Sequence, residues 1–244
     1  MRTLLKMFLF CIGFLVFFVA ACLVWFFHYS RDLPDAFLLA QFAPPTATQA
    51  IDPCLKTASV AIPYDSIGDN LRKALSAAEM SENDPGVLKA TYRAFMDREH
   101  PYRTILSWQI SRTIFCRPSR PLQSDIAELR TAAQLERRYS RRDLFTIFAN
   151  RAYFGENLLG VRDASQHYFR KDPNQLSIAE AALVAGIIRS PSFYSPVRHP
   201  DRALQRRNEV IDLIVAYGSV SLAEGEGAKA AGLGVATADA KSDH

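Results

Sequence analysis

Apolar positions along the chain fall into stretches of different kinds. Met7 to Phe27 is apolar almost throughout and holds no charged residue. At about 1.5 Å of rise per helical residue, such a run is long enough to cross a bilayer core. Residues 30–56, with Pro34, Pro44, Pro45 and Pro53, show no period and read as an extended linker. "SVAIPY" (59–64) reads either as a short strand or as a leading loop. From Ile67 the spacing turns helical: Leu71, Ala74, Leu75 and Ala78 make one apolar face in "GDNLRKALSAAEM". "QSDIAELRTAAQLERRYS" predicts another helix, ending near Ser140. Ser140 with Asp143, and Ser177 with Glu180, have capping-box spacing ahead of "RRDLFTIFANRAYF" and "IAEAALVAGII". The prolines of "RSPSFYSP" stop the second of these, and a last helix is expected over 200–217. Residues 219–244, rich in Ala, Gly, Ser and charge, are expected to be a disordered tail. The pattern predicts a mainly α chain divided into a stub and anchor (1–29), a linker (30–56), a helical domain (57–218) and the tail (219–244).

Length and charge fit that division. With 244 residues, 49% of them hydrophobic, and a net charge of +4, the chain can fill one ordinary core and carry a short attachment. Arg2 and Lys6 precede the apolar run, so the positive-inside rule leaves the N-terminus in the cytoplasm and exports the domain. "VAAC" (19–22) has the look of a lipoprotein cleavage box ending at Cys22, but "LVWFF" prolongs the apolar run beyond it. An uncleaved anchor is the expectation. Cys11 and Cys22 lie within the run; Cys54 and Cys116 fall in the exported part, where a bridge and two free thiols both fit. No Cys/His spacing points to a structural metal. Arginines crowd residues 93–142; most belong on a solvated surface, yet an exported, tethered domain could use some to hold anionic lipid or pyrophosphate. Nucleic acid is set aside as a partner for a domain outside the cytoplasm.

The chemistry has to come from carboxylates, because Gly-x-Ser-x-Gly and His-Glu-x-x-His are absent and the histidines are scattered. Glu79 follows Leu75 by one helical turn and Leu71 by two, beside the apolar stripe at the end of its helix. Partial burial and the negative end of the helix dipole both disfavour the charged form, which suits a general base. A helix-end glutamate leaning into water fits the same spacing. Glu128 shares a face with Thr131, Ala132 and Leu135, as a cleft-lining carboxylate would; a surface glutamate paired with Arg130 or Arg138 is the plainer alternative. Glu180 is accounted for by its capping box. Two carboxylates on one cleft are the equipment of sugar chemistry.

The stretch 135–196 is similar to the peptidoglycan glycosyltransferases, glycosyltransferase family 51, found as the transglycosylase domains of class A penicillin-binding proteins and in monofunctional relatives. The resemblance rests on Leu135-Glu136, Ser140-Arg141, Asn150, Tyr153-Phe154-Gly155, Gly160, Ala164, Tyr168-Phe169, Leu176, Glu180-Ala181-Ala182, and Pro191 with Tyr194 and Pro196. It extends over about 59–217. It implies a lysozyme-like, two-lobed helical domain behind one transmembrane helix, facing the periplasm from the inner membrane. It also implies polymerisation of lipid II, a disaccharide-peptide on undecaprenyl pyrophosphate, into glycan. The family's Glu-Asp-x-x-Phe motif falls on Glu79, which would deprotonate the acceptor 4-hydroxyl. Its Arg-Lys-x-x-Glu motif falls on Glu128, which would assist the pyrophosphate leaving group, with a divalent cation such as Mg as a further implied helper. Its Ser-Thr-Ile-Thr-Gln-Gln-x-x-Lys-Asn motif falls on "TILSWQISRT", where Ser107, Gln109 and Arg112 keep the polar and cationic character expected of substrate binding.

This sequence departs from the family at several of those positions. Met80 stands for the motif's Asp, Trp108 for its first Gln, Thr113 for its Asn, Thr146 for a Glu, and Ser124-Asp125 for the Arg-Lys pair. Arg117 and Arg120 are the cations close enough in sequence to replace that pair at the pyrophosphate. Two function classes therefore stand: an active membrane-anchored glycosyltransferase, and a catalytically impaired relative that binds lipid II or glycan within an assembly of cell-envelope proteins. A lytic glycosidase on the same fold fits the motif order less well. No transpeptidase Ser-x-x-Lys is present, so penicillin binding is not expected.

Overall fold

The structure, a computed structural model, describes residues 2–29, 50–51, 58–79, 106–107, 109–110 and 131–236, with the side chains of 2–9, 11, 23, 26–29, 50–51, 58–59 and 79 outside the description. The described part is mainly helical. Helix α1 (Arg2–Tyr29) runs for 28 residues. Large apolar side chains on it, Phe10, Phe14 and Phe17 among them, are exposed. The unbroken stretch of described side chains, 12–22, is short, and among the described residues no helix is long and apolar enough to cross a membrane.

A two-residue antiparallel ladder joins β1 (Ala50–Ile51) to β2 (Ala58–Ser59). The strand alternative for "SVAIPY" is thus realised only at its first residue, and the expected linker contributes β1. A 3-10 turn (Tyr64–Ile67) leads into α2 (Asp69–Glu79), on the stretch where the apolar period predicted a helix. Leu71, Ala74 and Leu75 have no exposed surface, and α2 lies against α6 (Ile178–Ile187) and α7 (Pro200–Ala216). Full burial of each leucine contributes about 1.5–3 kcal/mol, more than any propensity difference in so short a helix.

The second half follows its caps. Residues 131–138 form α3, which stops at Tyr139. Helices α4 (Arg141–Arg151) and α6 both open with complete capping boxes, Ser140 with Asp143 and Ser177 with Glu180. Between them α5 (Gly160–Phe169) closes on Tyr168, whose hydroxyl donates to Phe154 O at 3.1 Å. Burial is the largest of the effects that hold that phenol well above its ordinary pKa. The turn before α5 needs unusual backbone: Gly155, Glu156 and Asn157 all have positive φ, as does Gly160 at 83°. A Cβ on Gly160 would meet Asn150 O at 2.8 Å. That contact brings the start of α5 against α4, which is the reason for a glycine there.

The tail reading is corrected. Ser221 and Glu224 form a third capping box, opening α8 (Leu222–Ala230), and the chain is described as far as 236. Gly225 lets α8 settle on Val215 and Ile211 of α7. Arg207, buried on α7, donates to the carbonyls of Lys229, Ala231 and Gly232 at 2.9, 2.7 and 3.0 Å. Those are the acceptors a helix C-terminus leaves open. Ala236 N reaches Tyr168 O at 2.7 Å, returning the segment to α5. Polar composition hid this docking because scattered residues carry it, with Arg207, Gly225 and the Lys229–Asp212 ion pair joined by Val220, Ala228, Leu233 and Val235 packed against the core. Residues 237–244 lie outside the described residues, as do Cys54 and Cys116; a division into two lobes is not among the features the described residues show.

Two variants test these contacts. Gly160→Ala combines a left-handed φ with a backbone clash and is expected to lower stability by about 1–3 kcal/mol; an unchanged denaturant midpoint contradicts the close approach. Arg207→Ala removes three charge-assisted bonds, worth at most about 1.5–3 kcal/mol each and less at Ala231 and Gly232, which are exposed to water. Limited proteolysis should then cut within 219–236 well before the core, and equal resistance in the variant excludes the clamp.

Candidate active site

The sequence placed the chemistry on the end of α2, on the turn around 107, and on Arg112, Arg117, Arg120 and Glu128 after it. Helix α2 holds the first of these. Its start is fixed by Asn70 Nδ2, which donates to Leu176 O at 2.9 Å, and its inner face by Leu71 and Leu75. Glu79 is its last residue. Positions 71, 75 and 79 succeed one another along one side of a helix, so the buried stripe runs out at Glu79 where α2 ends. The backbone leading there is anchored by the core.

Ser107 and Gln109 share one helical turn. Leu106 and Ile110 sink into the core. Ser107 is only 1% exposed, and its Oγ donates to Glu136 Oε1 of α3 at 2.8 Å. The hydroxyl is thus enclosed by the protein and engaged by a carboxylate of α3. Gln109 is half-buried. Glu136 is the residue that sequence reasoning passed over: it stands in the Leu135-Glu136 match, but no spacing rule announces an inward carboxylate. Glu128, Arg112, Arg117 and Arg120 lie outside the described residues.

Other described carboxylates have structural duties. Burial pushes the Glu180 carboxyl upward, but hydrogen bonds from Lys171 Nζ at 2.7 Å and from Ser177 outweigh it and leave it below the ordinary range. Asp163 is raised by burial, with Arg162 opposing. At the start of α2, Tyr64 is flanked by the guanidinium groups of Arg72 and Arg142, 4.8 and 4.5 Å from its ring centroid. Arg142 is neutralised by Asp65 at 2.7 Å and Arg72 contacts Asp69 at 3.4 Å, so this pair is a clasp rather than an open anion site. Among the described residues no group of His, Cys, Asp and Glu could hold a metal ion. The carboxylate that the resemblance gives to a cation, Glu128, lies outside that set.

The family model described as "Transglycosylase" matches residues 48–215. Penicillin-binding protein 1A of Aquifex aeolicus is 28% identical over 231 residues, 86% of this chain and 31% of that protein. Penicillin-binding protein 1F of Bacillus subtilis is 32% identical over 130 residues, 53% of this chain and 18% of that protein. A crystal structure of penicillin-binding protein 1A from Haemophilus influenzae aligns with a TM-score of 0.45 and 20% identity, over 73% of this chain and 18% of that one. The chain thus spans less than a third of the length of these relatives. The matched region contains α2, the 106–110 turn and α3 to α6 entire, and with more than half of its residues in that match the chain belongs to the transglycosylase family.

Proposed function

We propose that this chain is a membrane-anchored peptidoglycan glycosyltransferase that polymerises lipid II. The observation that carries the reading is the family match over 48–215, which includes a core-anchored helix ending at Glu79. Glu79 accepts the proton of the acceptor 4-hydroxyl; that oxygen bonds to the donor's anomeric carbon as the bond from carbon to pyrophosphate oxygen breaks. The electron pair leaves with undecaprenyl pyrophosphate, and Glu79 returns its proton to solvent. A base positioned in this way supplies about 10²–10⁴ of the rate. Glu128 assists the leaving group, and Arg112, Arg117 and Arg120 neutralise its charge, which Asp125 in place of a cation makes more necessary. Gln109 orients the sugars. Helix α1 holds the domain at the periplasmic face of the inner membrane: it is a 28-residue helix whose sequence is free of charge from Met7 to Phe27.

Purified full-length protein with lipid II in detergent tests the chemistry. Glu79→Gln is expected to lower polymerisation at least about 100-fold while lipid II binding persists. Equal rates in wild type and variant remove Glu79 from the reaction. Wild type that binds lipid II but makes no glycan turns the assignment to the impaired, ligand-binding relative, and neither product nor binding defeats both. Alkaline carbonate extraction tests the anchor: the chain should stay with the membrane pellet, and release into the supernatant refutes a span by α1.

A further inference from the structure

The turn at 106–110 is held in two different ways. Leu106 and Ile110, one helical turn apart, place a single stripe in the core. Anchors along one stripe fix how deep a helix sits, and a directional contact off that stripe adds a constraint on its rotation. Ser107 lies about 100° round the axis from Leu106, since α-helical residues succeed one another at 3.6 per turn. Its hydroxyl meets Glu136 Oε1 at 2.8 Å, and the two residues are 29 apart in the chain. A carboxylate acceptor makes this bond stronger than one between neutral groups, and directional. Gln109 sits about 200° beyond Ser107 on the same turn, so any roll permitted at Ser107 redirects Gln109.

We propose that Glu136 is a positioning residue. Through Ser107 it fixes the roll of the 106–110 turn and thereby the direction in which Gln109 is presented to the sugar-pyrophosphate substrate. The inference rests on the glycosyltransferase reading and deepens it: the polar motif around 107 divides into Ser107, enclosed by the protein, which sets the geometry, and Gln109, half-buried on the other flank of the Leu106 and Ile110 stripe, which meets the ligand. Glu136 touches neither substrate nor reacting atoms.

The test uses the full chain with Trp25→Phe, which leaves Trp108, next to Ser107 in the sequence, as its one tryptophan out of the original 2. Ser107→Ala, Glu136→Leu, their combination, and Ser107→Thr are compared by melting temperature, iodide quenching of Trp108, and kcat and KM for lipid II. Ser107→Ala and Glu136→Leu should each change the quenching constant about twofold or more and lower kcat about tenfold, the scale of a modest misplacement. The combination should be no worse than either alone, as expected when both remove one interaction. Ser107→Thr, which keeps the hydroxyl, should stay within about threefold of the parent. A lowered melting temperature with unchanged quenching and unchanged kcat overturns the proposal and leaves the bond a stability contact only. Multiplying effects in the combination overturn it as well. If the parent makes no glycan, the function reading falls, and the quenching arm, which needs no turnover, still decides the positional claim. Should Glu136→Leu not fold, Ser107→Ala against Ser107→Thr decides it.

Discussion

The domain depends on one buried amide. Asn150, 2% exposed near the end of α4, accepts from Ile62 N through Oδ1 at 2.9 Å and donates through Nδ2 to Ile62 O, also at 2.9 Å. The same Nδ2 donates to Thr146 O at 2.9 Å. One side chain thus clasps both backbone groups of a residue 88 positions away and closes its own helix. Its main-chain oxygen is in turn the surface on which Gly160 packs. No hydrophobic contact has this directionality; the core sets which faces are inside, while the amide sets where the leading segment lies along α4. An aspartate of the same shape lacks the donor, and a leucine lacks both functions, at about 1–3 kcal/mol for each backbone group left unsatisfied.

The consequences run toward the site. Ile62 leads directly into the Tyr64 turn, and Tyr64 packs edge-on against Phe145 of α4 at 5.6 Å. The Tyr64 turn leads into α2, whose buried stripe is gripped by α6 and α7. Glu79 comes at the end of this sequence of constraints. Under the proposed function Glu79 gains from such support, because a base that drifts by 1 Å loses much of its advantage. The same division of labour recurs at 106–110, where apolar residues set depth and a polar contact sets rotation. In both places the candidate groups are carried by segments whose position is decided elsewhere in the chain.

Much of this was legible in the sequence. The 3-4 spacing of Leu71, Ala74 and Leu75 gave α2 its limits and its inner face, because helical period and burial are the same fact seen twice. Ser140, Ser177 and their partners three residues later announced α4 and α6, since a capping box is local chemistry. The same signal was present at Ser221 and Glu224, but two glycines and scattered charge in "LAEGEGAKA" masked α8, which is held by contacts with α7. The inward turn of Ser107 could not be read either. A serine in a polar motif faces ligand or protein according to where a carboxylate on α3 sits, and that is tertiary information. For the same reason Asn150 was visible as part of a motif while its clasp on Ile62, across 88 residues, was not.

Hydrogen–deuterium exchange of the full chain, wild type against Asn150→Ala and Asn150→Asp, reaches the central claim most directly. If the amide clasp governs the position of the leading segment, loss of it should speed exchange at Ile62 and through residues 64–79 together, by about tenfold or more, as one cooperative unit. The helices α6 and α7 should keep most of their protection. Faster exchange at Ile62 alone, with α2 as protected as in wild type, contradicts the account, because Glu79 would then be held in place without Asn150.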